Sequence, residues 1–409
     1  MPSLEQLTGG VKVRSDISSR PNRLRYLQSN SVGPGVTNGK RIRFTLPRQN
    51  AGYLDMSTLR MRGKLNVTTS DPSARLGGHD AVVLLDRVRC VQGSKVMYDQ
   101  ELNGLISNFT NAQVSVSDIE YKSYERALSD YPQDNTRLSQ ENTVNTPDRI
   151  VICTLGPRGG FLNQNSLMPL STMTLPVHID LYFADPKKCF KSSDADLTYT
   201  LNDLELNYSS LFSKSLDQYY GSKRVSVHAT EHGHRYNYIN TGSTSVNLLV
   251  PSNASNCSGV LSFLRIHANV NDITQEKYDN AFLPATFIQE LDYRIGTRSI
   301  FDEPLSAINE YYDQIHHLYP EISKSRYFTP DGFKGPQHVI SVNLSGAPSQ
   351  FGGVMEGSLI SGVSSSQLVT DMSMKLTFNA ASFTNIQCDH FVLSDIVYSY
   401  SKGIISVEL

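Results

Sequence analysis

Four residues in one short stretch have the types and spacing for chemistry: His228, Glu231, His232 and His234. On an extended segment, side chains two and four positions apart point the same way. His228, His232 and His234 would then share a face, and three imidazoles could bind zinc or nickel. The His-Gly-His run equally suits a solvated turn at a strand end, and no carboxylate stands at a spacing that would orient the rings. A protonation-sensitive contact at a subunit interface fits these residues better, because histidine titrates near physiological pH. His316-His317 reads as a helix end, where positive charge is favourable. Gly156-Pro-Arg-Gly-Gly160 lacks the Lys-Ser/Thr and following helix of a phosphate loop and reads as a turn. Asp185, Asp194 and Asp196 fail the spacing of a calcium loop and read as solvated carboxylates. Tyr311, Tyr312, Tyr319 and Tyr327 suit an interface, or equally a core. No G-x-S-x-G, H-E-x-x-H or paired Cys/His motif occurs. The residues therefore assign no catalytic, cofactor-binding or metal site, imply no small-molecule substrate, and point away from an enzyme.

The elements that would position such residues are strands. The chain of 409 residues exceeds the size at which single cores stop growing, so two domains are expected. Abundant tyrosine, serine, threonine, valine and asparagine, with 19% charged residues and no tryptophan, favour a β-rich protein with long polar loops. A net charge of −2 argues against a protein whose main task is coating nucleic acid. Cys90, Cys153, Cys189, Cys257 and Cys388 are odd in number and widely spaced, and read as buried small hydrophobes. No apolar run reaches a membrane span and the N-terminus lacks a signal-peptide core, so synthesis in the cytosol is expected.

An internal repeat organises the chain. Residues 61–109 laid without gaps on 264–312 match Arg62 to Arg265, Asn66 to Asn269, Val67 to Val270, Gly93 to Gly296, Asp99 to Asp302 and Leu102 to Leu305. The apolar positions around them stay in register, with Leu84, Leu85 and Val88 on Phe287, Ile288 and Leu291. Further on, Leu201, Asp203, Tyr208 and Ser209 match Leu393, Asp395, Tyr400 and Ser401 at an offset of 192. Period-2 alternation marks strands at 41–46, 58–67, 149–155, 175–184, 224–228, 245–250, 260–270, 372–378 and 391–400, and a strand pair at 195–209. Residues 81–91 suit a strand or a short buried helix, and 101–109 and 305–315 read as helices. The resulting division is an extended basic N-terminal arm (1–40), a first unit (41–212), a linker (213–223) and a second unit (224–409). Polar excursions at 110–148 and 316–366 are too long for ordinary connections.

About eight short strands per unit, in two facing sheets, is the jelly-roll plan, and two in tandem make a double jelly-roll. The runs RIRFTLPRQNAGYLDMSTLRMRGKLNV, LLDRVRCVQGSKVMYDQELNGLISNF and STMTLPVHIDLYFADP resemble the double jelly-roll major capsid proteins of icosahedral DNA viruses. The resemblance implies an all-β chain that self-assembles as pseudo-hexagonal homotrimers into a virion shell enclosing the genome. Its partners would be neighbouring capsomers, penton proteins and minor capsid proteins. The excursions would be exterior loops, and the basic arm would contact packaged DNA or an inner membrane. A jelly-roll receptor- or glycan-binding spike is the alternative from a different class.

Overall fold

The computed structural model describes residues 17–26, 41–48, 50–78, 81–112, 149–250, 257–278, 281–319, 322, 330–344, 372–379 and 384–408. The first half contains β1 (Ser18–Arg25), β2 (Arg41–Thr45), β3 (Tyr53–Thr68), β4 (Arg75–Leu76), β5 (Leu85–Gln92), β6 (Lys95–Glu101), β7 (Arg149–Thr154), β8 (Leu167–Met168), β9 (Val177–Phe183), β10 (Phe190–Lys191) and β11 (Thr198–Phe212). The second contains β12 (Val225–Ile239), β13 (Ser245–Val250), β14 (Cys257–Ile266), β15 (Ile288–Ile295), β16 (Arg298–Ser299), β17 (Ile340–Asn343), β18 (Met372–Phe378), β19 (Ile386–Ser401) and β20 (Ile404–Glu408). Three helices matter here: α1 (Asn103–Ala112), α2 (Lys214–Ser222) and α3 (Ile308–Leu318).

Each half pairs its strands in the same order. The first forms sheets β1-β11-β3-β7 and β2-β9-β5-β6; the second forms β12-β19-β14-β17 and β13-β18-β15-β16. Eight antiparallel strands in two sheets, twice, is the double jelly-roll read from the sequence. Alternation drives the pairing: Ile42 and Phe44 are buried while Arg41, Arg43 and Thr45 face water, and Ile179 and Leu181 meet them across the β2–β9 ladder. The repeat survives in backbone detail. Gly93 and Gly296 turn β5 into β6 and β15 into β16 with φ of +61° and +62°, a region that favours glycine.

Several expected elements differ. Ser18–Arg25, inside the predicted arm, is an edge strand of the first unit, pairing with β11 from Ser18↔Phe212 to Arg25↔Glu205. Its alternation is weak because only one side touches the core, and Pro21 is tolerated because an edge strand leaves one row of backbone groups unpaired. Residues 1–16 and 27–40 of the arm lie outside the described residues. Instead of a strand pair, 198–212 is one long strand, with Asp203 (φ +48°) between two residues where the register shifts. Ala81–Leu84 is a 3-10 turn that feeds β5, so both readings of that stretch hold in part. The predicted excursion 316–366 includes β17, whose Ile340 and Val342 are fully buried, so that part is not an exterior loop. Residues 113–148 and 345–371 lie outside the described set. The linker folds as α2, with Ser213 Oγ accepting from Ser215 N at 3.2 Å and Leu216 buried. All five cysteines are buried and free.

Candidate functional site

The histidine stretch does not end in a turn. β12 runs straight through Gly233 and pairs with β19 without a register shift from Val225↔Tyr400 to Ile239↔Ile386. His228, His232 and His234 do share a parity, yet about 13 Å of strand separates the first two. His228 is exposed, His232 is buried, and His234 Nε2 lies 3.1 Å from Asp389 Oδ1. Among the described residues no three His, Cys, Asp or Glu side chains converge to hold a metal. The three imidazoles are therefore not one site. Burial pushes the His232 pKa down to about 4, leaving a neutral ring inside the protein.

What the sequence missed is the carboxylate. Asp389 arrives from β19, 155 positions from His234, and is fully buried. It accepts from Arg265 Nη2 at 2.5 Å, Arg265 Nε at 3.1 Å and Gln387 Nε2 at 2.9 Å. Burial opposes its ionisation, but the Arg265 charge and these hydrogen bonds outweigh it and hold the carboxyl well below the usual range. Next to it, His390 Nδ1 sits 2.8 Å from Ser262 Oγ, which lies 2.9 Å from Tyr293 OH. Ser262 and His390 pair within one sheet and are wholly inaccessible; through Tyr293 on β15 they make a packed polar link to the facing sheet that cannot meet a substrate.

The other candidates are structural. Asp185 accepts from Lys187 N at 2.9 Å, and Asp194 accepts from Ser70 N, Ser70 Oγ and Thr69 Oγ1, so these carboxylates cap loops. His316 and His317 close α3, with His317 Nε2 3.2 Å from Asp313 Oδ2. Tyr311 is core, while Tyr312 and Tyr319 are half-buried against it; Tyr327 lies outside the described residues.

The most developed surface is the seam between the halves. The Gly156–Gly160 turn docks there: Gly159 O accepts from Thr230 N at 3.0 Å, and Phe161 stacks on Tyr398 with centroids 4.1 Å apart. Tyr398 OH donates to Glu231 Oε1 at 2.5 Å, and burial raises the Glu231 pKa. Gln100 Nε2, on β6, donates to His232 O at 3.1 Å, and Phe109 of α1 meets Phe263 edge-on at 5.3 Å. At the C-terminal end, Gln92 Nε2 donates to Gly403 O at 3.1 Å and Gln92 Oε1 accepts from Ile405 N at 2.8 Å. Glu276 bridges to Arg75 at 2.8 Å and to Lys191. Such a seam holds two barrels as one body and places the histidine strand in an interface rather than in a cleft.

No protein-family model and no curated protein matches the chain. Solved structures do. PBCV-1 VP54, in a crystal structure fitted into a reconstruction of the virophage Sputnik, superposes with a TM-score of 0.64 at 11% identity over 98% of both chains. The Faustovirus major capsid protein superposes at 0.61 and 9% identity, covering 98% of this chain and 92% of its own. The mavirus major capsid protein does so at 0.57 and 12%, covering 100% and 93%. The chain thus has, over essentially its whole length, the double jelly-roll fold of these capsid proteins.

Proposed function

We propose that this double jelly-roll chain is a major capsid protein, a non-enzymatic structural protein of the virion that works by self-assembly. The observation that carries the reading is the two-sided coverage: both barrels, in the same strand order, span the chain and nearly the whole of VP54. Fold alone does not specify function, but a pair of like barrels joined by a buried seam suits a building block. The assembly unit is a pseudo-hexagonal homotrimer, and neighbouring capsomers, penton proteins and minor capsid proteins complete the shell. The basic residues of the N-terminal arm, Lys12 and Arg14 among them, contact packaged DNA or an inner membrane by charge attraction. The chain is made in the host cytosol and finishes in the virion.

The test is native mass measurement of the expressed chain followed by electron microscopy. Three-chain species that grow into closed particles support the proposal. A monomer under every assembly condition overturns it and favours the receptor-binding spike instead.

A further inference from the structure

A cavity of about 1000 Å³ opens between the start of β1, the loop before β3, the turn at 170–173 and the start of α2. Hydrogen bonds fix its walls. Ser18 and Ser19 of β1 pair with Phe212 and Leu211, which lead into α2. Tyr53 OH donates to Asp217 Oδ1 at 2.7 Å and joins the base of β3 to the helix. Ser171 N donates to Gly52 O at 3.1 Å, and Arg48 Nη1 donates to Thr174 O. Two left-handed residues, Asn50 (φ +52°) and Gly52 (φ +63°), shape the loop, and a Cβ at Gly52 would lie 2.4 Å from Leu211 O. The cavity is therefore built by the fold before any ligand arrives.

Its charge is unbalanced. Arg25, Arg43 and Arg62 of the same half each hold a carboxylate. Arg20 and Arg48 both line the cavity and form no ion pair among the described residues. Once Arg48 has bonded Thr174 O, the rest of its guanidinium fork is left for the cavity. The lining holds one carboxylate, Asp217, and Tyr53 already donates to it; burial holds that tyrosine protonated by raising its pKa. Ser18, Ser19 and Asn50 add neutral donors, and Met173 and Phe212 give one apolar wall. Two guanidiniums against one engaged carboxylate, in a concave place with neutral donors, call for an anion. The volume is far more than one phosphate group fills.

We propose that this cavity binds a terminal phosphate group together with the small organic body that carries it. Arg20 from β1 and Arg48 from the facing loop grip the phosphate oxygens by charge-assisted hydrogen bonds, and the body rests against Met173 and Phe212. The positive end of the α2 dipole favours the same charge. A soluble phosphate ester and the headgroup of an anionic lipid share this chemistry. A concave site admits a terminal phosphate, with its nearly double charge, and excludes the convex, singly charged backbone of a duplex. Occupancy ties the edge strand β1 to the loop and to the linker helix. The inference concerns binding by the single chain and stands apart from the capsid reading.

The test is isothermal titration of the full chain with inorganic pyrophosphate, at an ionic strength fixed with sodium chloride. Wild type should bind saturably, and its melting temperature should rise with pyrophosphate concentration. Arg20→Ala should weaken binding at least about tenfold, and Arg20→Lys should lose less, because lysine keeps the charge without the fork. Arg48→Ala should weaken it as well, but it also removes the bond to Thr174 O. Arg20 decides, since its side chain makes no hydrogen bond or ion pair among the described residues and its loss leaves the ligand-free melting unchanged. Arg23→Ala, on the other face of β1 and outside the cavity, should bind as wild type does. Flotation with phosphatidylcholine vesicles, with and without phosphatidic acid, separates the two sources. Capture by the phosphatidic acid vesicles alone, dependent on Arg20 and relieved by pyrophosphate, assigns a lipid headgroup; saturable pyrophosphate binding without such capture assigns a soluble ester. Absence of saturable binding by wild type, equal binding by Arg20→Ala, or an equal loss in Arg23→Ala overturns the site. Displacement of pyrophosphate by a short DNA duplex overturns the terminal-phosphate assignment.

Discussion

Gly403→Ala should unfasten the C-terminal strand from the first half. Lys402 (φ +50°) and Gly403 (φ +74°) form a two-residue turn joining Ser401 to Ile404, the mirror-image turn that suits a twisted hairpin. Alanine there costs about 1–2 kcal/mol for the left-handed backbone alone. A Cβ at Gly403 would also lie 2.4 Å from Thr172 O and 2.8 Å from Thr174 N, both backbone atoms that cannot swing aside. The turn must therefore retreat, and Gly403 O then loses donors from Gln92 Nε2 (3.1 Å), Thr174 N (2.9 Å) and Thr174 Oγ1 (3.1 Å). At about 1 kcal/mol net for each of these three bonds, the seam weakens by about 3 kcal/mol. Ile405, fully buried, bounds the loss, since exposing it costs about 2 kcal/mol more. Amide hydrogen exchange at Ile405, whose N donates to Gln92 Oε1 at 2.8 Å, is the direct assay. Exchange should quicken by at least about a hundredfold while β5 and β9 keep their protection. Lys402→Gly is the control and should be neutral or stabilising by up to about 1 kcal/mol, because glycine relieves the same backbone conformation. Unchanged Ile405 exchange in Gly403→Ala would refute the claim that this turn is held by close approach.

Phe161→Ala should cost about 3–5 kcal/mol in urea melts by emptying the site beneath Tyr398, and a change under 1 kcal/mol would show that the stacked pair carries little. Asp389→Asn leaves Arg265 as a buried charge without its counter-ion, so it should destabilise by about 3–5 kcal/mol at pH 7. Because the folded pKa of Asp389 is depressed, its contribution is present above the ordinary carboxylate range and is lost as pH falls through the folded value; the variant's deficit should shrink only in strong acid. Burial brings His232, His338 and His390 each down to about 4, so the unfolded chain binds more protons between pH 6.5 and 4. Stability should fall across that window, and a flat profile from pH 7 to 4.5 would contradict the assignment.

The strands most legible in the sequence are those with one wet and one dry face. Ile42, Phe44 and Leu46 alternate with polar neighbours, and Met372–Phe378 appears with the bounds read from its pattern. The glycine turn at Gly93 and its copy at Gly296 gave the register of the duplication, because a left-handed φ leaves a residue-type signature. β1 was hidden for the opposite reason: an edge strand bearing Arg20, Arg23 and Arg25 has hardly any dry face to alternate with. His-Gly-His read as a turn because glycine usually breaks a strand, yet Gly233 sits at a solvent-facing edge where the missing side chain costs little packing. Asp389 could not be assigned to His234 by spacing, since the contact is made across a ladder whose partners lie 155 positions apart. Such pairings are set by topology, and local sequence carries no signal for them.

The same sheet position is finished in two different ways in the two halves, and the difference follows from what covers it. On the second half, the outward face of β14 and β19 offers Phe263, Phe391 and Leu261, and a neighbour on the same chain covers it permanently. Apolar burial is right for such a contact, because it never has to open and never meets the wrong partner. On the first half, the equivalent face offers Arg23, Arg25, Arg62 and Lys64. Charge keeps that face hydrated, and each exposed pair on it contributes little net energy and is screened by salt. A single duplicated fold thus finishes one of two equivalent faces with aromatic packing and the other with ion pairs.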